Sequence, residues 1–235
     1  MPTPKVLGVI PARGNSKRLP RKNIKILCGK PLIAYTIEAA KKSKYLTDFL
    51  VTTEDEEIFN VANEYGAPTP FIRPQHLSGD EVRNIDTVDH ALKYMEEKRG
   101  FQYDVIVLLQ PTCPIRDSKH IDAAVTKLWN SDFETAVSVK GPYKKRDPIL
   151  KALRKGVIED YFPVEDIDNV EPFYLYNASI YAVKRAYFIN SHKFISPKQI
   201  PIEMDVFHST DIDNYSDFLV AETYIKYLKE TNKLI

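Results

Sequence analysis

Arg13, Lys17, Arg18, Arg21, Lys22, Lys25 and Lys30 form a run of seven cations, and no Asp or Glu lies between Arg13 and Lys30. The whole chain carries a formal net charge of only +1, so the excess is local. Polyphosphate is its natural partner, because opposite unit charges about 4 Å apart gain roughly 4 kcal/mol at an effective dielectric near 20. Gly14, Asn15 and Ser16 stand where backbone amides and a hydroxyl could also face phosphate oxygens. The competing role is a solvated basic loop. A second constellation is Asp211-Ile212-Asp213. Residues i and i+2 of an extended segment project to one side, so two carboxylates could meet one ion. Mg²⁺ suits them, since it takes carboxylate and phosphate oxygens together with retained waters. The alternative is that Asp213 or Asn214 caps a following helix. Neither a P-loop nor G-x-G-x-x-G occurs: Gly29-Lys30-Pro31 lacks the required Ser or Thr.

The elements that must position these residues follow from the hydrophobic pattern. Short apolar runs alternate with helical spacings, which predicts an α/β fold with a mainly parallel sheet covered on both faces. Strands are expected at Val6–Ile10, Phe49–Thr53, Pro70–Pro74, Val105–Leu109 and Asn177–Val183. Helices are expected at Pro31–Ala40, with proline in the first turn, and then at Thr87–Lys98, Ser118–Trp129 and Tyr215–Lys229. Glu54 to Glu57 should open a further helix ending near Gly66, where their charge suits the helix dipole, and they are assigned no chemistry. His90 is read as packing on its helix, with no second His or Cys spaced to share a metal. Ligands of open parallel sheets lie beyond the carboxyl ends of the strands, where Arg13, Gln110 and Thr112 should gather.

A hydrophobic content of 43% with 28% charged residues over 235 residues is that of a globular protein, expected to form one domain. Balanced charge gives no support for nucleic-acid or membrane-surface binding. The early apolar run Val6–Ile10 is too short for a signal peptide or a membrane span, so a cytoplasmic location is expected. Cys28 and Cys113 fit a reducing compartment. Cys113 reads as a small buried thiol, with a reactive nucleophile as the alternative. Prolines at 142, 148, 163 and 172 interrupt the alternation between Gly141 and Asn177, which reads as an inserted arm or a surface excursion.

Ile10 to Ala40, Leu108-Leu109-Gln110-Pro111-Thr112-Cys113-Pro114-Ile115-Arg116 and Asp211-Ile212-Asp213 together resemble the acylneuraminate cytidylyltransferases, or CMP-sialic acid synthetases. The resemblance spans nearly the whole chain in the right order. It implies a three-layer Rossmann-like nucleotidyltransferase fold whose arm, about residues 141–176, makes a homodimer. It also implies attack by a hydroxyl of an acidic nine-carbon sugar on the α-phosphate of CTP, with release of pyrophosphate. Arg13, Lys17 and Lys22 would neutralise the triphosphate, and Ala12, Ser16, Asn23 and Arg73 would complete the nucleotide site, with Asn23 at the ribose and Arg73 at the cytosine. Gln110, Asn177, Tyr181 and Phe194 would hold the sugar, although ordinary core packing is an equal reading for the two aromatics. Asp211 and Asp213 would hold Mg²⁺.

Three positions depart from that family. Cys113 replaces a serine, Asn177-Ala178-Ser179 replaces Asn-Gly-Ala, and no arginine precedes Asn177 where many members pair one with the sugar carboxylate. Arg146 or Lys151 could supply the missing cation, and legionaminic or pseudaminic acid are candidate sugars beside sialic acid. The alternatives are a Kdo-type cytidylyltransferase, whose loop continues Arg-Leu-Pro-Gly-Lys-Pro where this chain has Arg18-Leu19-Pro20-Arg21-Lys22-Asn23, and an inactive nucleotide-binding regulator.

Overall fold

The computed structural model describes residues 3–143, 151–154, 157–160 and 173–233. A six-stranded sheet forms its centre, and β1 (Val6–Pro11) lies between β4 (Asp48–Thr52) and β5 (Val105–Leu109), parallel to both. Beyond β5 come β9 (Phe173–Lys184), β6 (Thr135–Tyr143) and β10 (Ile200–Met204). β10 is parallel to β6, whereas β9 runs antiparallel to both β5 and β6. The sheet is thus mainly parallel, with one reversed strand. Two short hairpins stand apart, β2 (Ile26–Leu27) with β3 (Lys30–Pro31), and β7 (Lys151–Arg154) with β8 (Val157–Asp160).

The two-residue period of the strands feeds two cores. Val6 and Ile10 of β1, with Val105, Val107 and Leu109 of β5, pack beneath α1 (Leu32–Lys42), α2 (Glu56–Glu64) and α4 (Ser118–Trp129). Leu7 and Val9, with Ile106 and Leu108, face the other way, toward α3 (Asn84–Arg99) and α5 (Arg185–Ser191). Burial on both faces explains why β1 and β5 read as unbroken apolar runs. β1 sends its chain through α1 to β4 on one side while β5 flanks it on the other. A crevice therefore opens past the carboxyl ends of these strands.

Three expected elements differ from the observed ones, and the first is the strand expected at Asn177–Val183, which already begins at Phe173 within the expected arm. The strand expected at Pro70–Pro74 is reduced to a single bridge, Thr53 to Ile72, because the prolines at its ends have no N–H to give a ladder. The helix expected from Thr87 starts at Asn84 and ends on Gly100, whose positive φ of 68° suits a residue without a Cβ. α6 (Tyr215–Glu230) is capped by Asn214 in a reciprocal box with Asp217. Most of the expected arm at 141–176, with Arg146, falls outside the described residues. No helix among those described is long and apolar enough to cross a membrane.

Candidate active site

The loop after β1 and the Asp211-Ile212-Asp213 segment meet because both insert an apolar residue into a third core. Leu19 and Ile212 are buried there with Leu27, Leu32, Ile115 and Phe218. Ile212 is fully buried, its N–H donates to Thr112 O at 2.9 Å, and its carbonyl accepts from Lys22 Nζ at 2.6 Å. With that residue turned inward, its neighbours Asp211 and Asp213 both line one cavity of about 680 Å³. Arg13, Ser16, Lys17, Lys22 and Asn23 line the same cavity, and so do Arg73 and Gln110. Asn23 is buried and its amide donates to Arg13 O at 2.9 Å, which holds the loop in shape.

The cations are less bare than their sequence suggests. Asp80 accepts from Arg13 at 2.9 Å and pairs with Lys17 at 2.6 Å. Arg18 meets Asp213 at 3.0 Å, Lys22 stands 3.9 Å from it, and Lys30 pairs with Glu38. Arg21 takes Asp55 through both terminal nitrogens and also reaches Glu57. The local charge excess is therefore smaller than the sequence alone suggests, because acids distant in sequence offset much of it. Pairs as exposed as those of Asp80 are screened by solvent and hold the cations only weakly.

The acids after β4 also have more to do than complement a helix dipole. Asp55 caps α2 by accepting Ile58 N–H at 2.9 Å, as expected of that position. Glu54 precedes the helix, accepts Gly14 N–H at 2.8 Å and pairs with Arg73. The Gly14 amide, expected to face phosphate, is thus spent on a carboxylate. A Cβ on Gly14 would lie 2.3 Å from Asp55 Oδ2, so this close approach admits glycine only. Position relative to the sheet was the signal for Glu54, since it lies just past the carboxyl end of β4, next to β1.

Burial sets the remaining electrostatics. It lifts the Asp211 carboxyl above the ordinary carboxylate range, against hydrogen bonding from Thr112. It lowers the Lys22 ammonium, opposed by Asp213 and Asp211. The Cys113 thiol is fully buried and pushed up to about 12, which makes it a packed thiol and no nucleophile at neutral pH. His90 packs edge-on against Phe71 with its ring pair 4.8 Å apart, in keeping with a packing role.

The remaining predicted residues take varied places. Ala12 is buried in the core and contributes its N–H to Thr52 O at 3.0 Å. Asn177 is buried beside the cavity, its amide donating to Ser209 Oγ at 3.0 Å, while its neighbour Ala178 lines the cavity with φ 58°. That left-handed conformation costs any residue but glycine, which accounts for glycine at this point of the resembled pattern. Tyr181 and Phe194 pack at 6.3 Å between ring centroids and touch the second core, not the cavity wall. Arg116, to which sequence reasoning gave no role, is buried and donates to Ser179 O at 2.6 Å, Thr36 Oγ1 at 2.7 Å and Gln110 O at 3.3 Å. It pins the turn that carries Gln110.

Two carboxylates facing one cavity beside fixed cations are a donor set that suits a hard divalent ion shared with phosphate oxygens. No group of three or more His, Cys, Asp or Glu among the described residues could hold a metal by itself. Substrate oxygens would have to complete the shell.

Residues 7–218 match the family described as cytidylyltransferase. The chain is 34% identical over 230 residues to a CMP-N,N'-diacetyllegionaminic acid synthase of Legionella pneumophila, covering 96% of this chain and 98% of that protein. It is 34% identical over 238 residues to an N-acylneuraminate cytidylyltransferase of Escherichia coli, covering 98% of this chain but 54% of that protein. A solved CMP:2-keto-3-deoxy-manno-octonic acid synthetase complexed with CTP shares the fold with a TM-score of 0.71, at 14% identity, over 95% of this chain and 99% of that one.

Proposed function

The chain belongs to the cytidylyltransferase family, and from that premise we propose that it transfers CMP from CTP to a nonulosonic acid with release of pyrophosphate. It is a nucleotidyltransferase. The observation that carries this reading is the convergence of Arg13, Lys17, Lys22, Asp211 and Asp213 on one cavity at the carboxyl edge of the sheet. A relative matched from end to end activates diacetyllegionaminic acid, as its name states, and this favours a sugar of the sialic type over the eight-carbon alternative.

In the proposed reaction a sugar hydroxyl oxygen bonds to the α-phosphorus, the bond from that phosphorus to the bridging oxygen breaks, and pyrophosphate leaves. Such a step needs positioning and charge neutralisation more than covalent help from the protein. Arg13, Lys17 and Lys22 balance charge on the triphosphate, most of all on the leaving pyrophosphate, and Ser16 adds a hydroxyl donor. Asn23 is assigned to the ribose and Arg73 to the cytosine, while Gln110 is assigned to the sugar with Asn177, Tyr181 and Phe194 behind it. Asp211 and Asp213 would hold Mg²⁺, which when bound supplies Lewis-acid neutralisation of phosphate oxygens. A homodimer built through the arm and a cytoplasmic location belong to the same proposal. The unpaired thiols of Cys28 and Cys113 support that location.

The test is incubation with CTP, Mg²⁺ and a panel of sialic, legionaminic, pseudaminic and Kdo acids while pyrophosphate release is followed. Release with a nine-carbon acid supports the reading. Release with none of them, with CTP still bound, would leave the inactive regulator ahead.

A further inference from the structure

We propose that Glu54 is a positioning residue that sets the preference for cytosine over uracil by fixing Arg73, and that the same carboxylate ties base recognition to the phosphate loop. The proposal rests on the cytidylyltransferase reading and on the assignment of Arg73 to the base.

Arg73 is buried to 5% exposure, yet it lines the nucleotide cavity. Its backbone is held by Arg73 N–H donating to Thr53 O at 2.8 Å. Its guanidinium is held at two points: Nη2 pairs with Glu54, and Nε donates to Ser78 Oγ at 3.3 Å. Among the described residues Nη1 has no protein hydrogen-bond partner, so one donor edge is left for a ligand. Burial alone disfavours the charged guanidinium, and Glu54 is the carboxylate that opposes this.

Cytosine presents two adjacent acceptors, O2 and N3. Uracil presents O2 but carries a hydrogen on N3. A guanidinium donor held still against N3 therefore accepts cytosine and meets uracil donor against donor. A freely rotating arginine would lose this contrast, because it could turn to the O2 acceptor that both bases share. Discrimination by a buried hydrogen-bonding group depends on that group being unable to find another partner.

The second oxygen of the same carboxylate makes Glu54 more than a counter-ion. Glu54 Oε1 accepts Gly14 N–H at 2.8 Å, and Gly14 follows Arg13, a cation of the phosphate side. Asp55 fills the space that a Cβ on Gly14 would need, so the loop and the start of α2 approach closely at this point. One side chain thereby joins the base-reading arginine to the loop that receives the triphosphate. Glutamine in its place could still accept from Gly14, but its amide would face Arg73 donor to donor.

The experiment compares wild type with Glu54→Gln and Glu54→Asp. It measures CTP and UTP affinity by calorimetry, kcat and KM for both nucleotides with one acceptor sugar, and the thermal midpoint of each protein. The expected result for a folded Glu54→Gln is a fall of about tenfold or more in the CTP-to-UTP ratio, with a smaller fall for Glu54→Asp, which keeps the charge but is one methylene short. An unchanged ratio overturns the proposal, and so does an equal loss for both nucleotides, the signature of a merely structural role. If neither variant folds, Glu54 serves stability and the proposal is overturned. Wild type that binds CTP but releases no pyrophosphate would sink the proposed reaction, while the binding ratio would still decide the role of Glu54.

Discussion

Arg13 and Asp80 stand 2.9 Å apart at the cavity, and the other oxygen of the same carboxylate meets Lys17 at 2.6 Å. An internal anion thus occupies two of the three cations assigned to the triphosphate. These hydrogen bonds, from Lys17 first, hold the Asp80 carboxyl below its ordinary range, so it is ionised throughout the neutral region. A triphosphate must displace it. Asp80→Asn should therefore tighten pyrophosphate binding a few-fold and steepen its salt dependence, since the site is left with more uncompensated positive charge, which salt screens within about 10 Å at 0.1 M. Calorimetric titration at two ionic strengths checks this, and weaker binding in the variant would place Asp80 among the ligand contacts.

Asp211→Asn should abolish turnover without costing stability. Because burial lifts the folded carboxyl above its unfolded value, the folded protein holds that proton more tightly. The buried carboxylate therefore costs stability at neutral pH. The cost is absent below the unfolded value of about 4 and grows as pH rises through the raised folded value. The variant should be at least as stable as wild type at pH 7, with the difference closing in acid. Denaturation across pH, alongside pyrophosphate release, would refute this if the variant proved less stable at neutral pH.

Lys22 has two tasks in the structure, a hydrogen bond to Ile212 O at 2.6 Å and a place in the cavity wall. Lys22→Ala should consequently raise KM for CTP and the Mg²⁺ requirement together, each by roughly tenfold, the worth of about 1.4 kcal/mol. Titrating activity against the metal at fixed CTP separates the two effects. A shift in KM alone would mean that the lysine does not steady the carboxylate segment.

Cys113→Ser should leave kcat within about twofold, since a thiol pushed up to about 12 contributes no thiolate at neutral pH. The residue is buried, and alkylation by iodoacetamide at pH 8 should likewise spare activity. Loss of turnover in the serine variant would return the thiol to the list of reacting groups.

Much of the scaffold can be read from local pattern. β1, β5 and α4 are legible because burial on both faces makes β1 and β5 continuously apolar, while one buried face gives α4 its helical spacing. The cationic loop and the paired aspartates are legible too, because each is a contiguous run whose chemistry depends on residue type. The antiparallel course of β9 is not, since strand direction depends on the path of the chain before it and leaves no mark on composition.

The linear order of residues determined where cations and carboxylates cluster and that the central runs of β1 and β5 become strands. Tertiary structure alone decided which acids meet which cations. Arg13 with Asp80, Arg18 with Asp213 and Glu54 with both Gly14 and Arg73 are partners far apart along the chain. It also decided that Ile212 turns inward and so aims both of its neighbours into the cavity. The physical reason is that charge acts through space over a few ångströms. Which groups come that close is settled by Leu19 and Ile212 sharing one apolar cluster, a contact no local window contains.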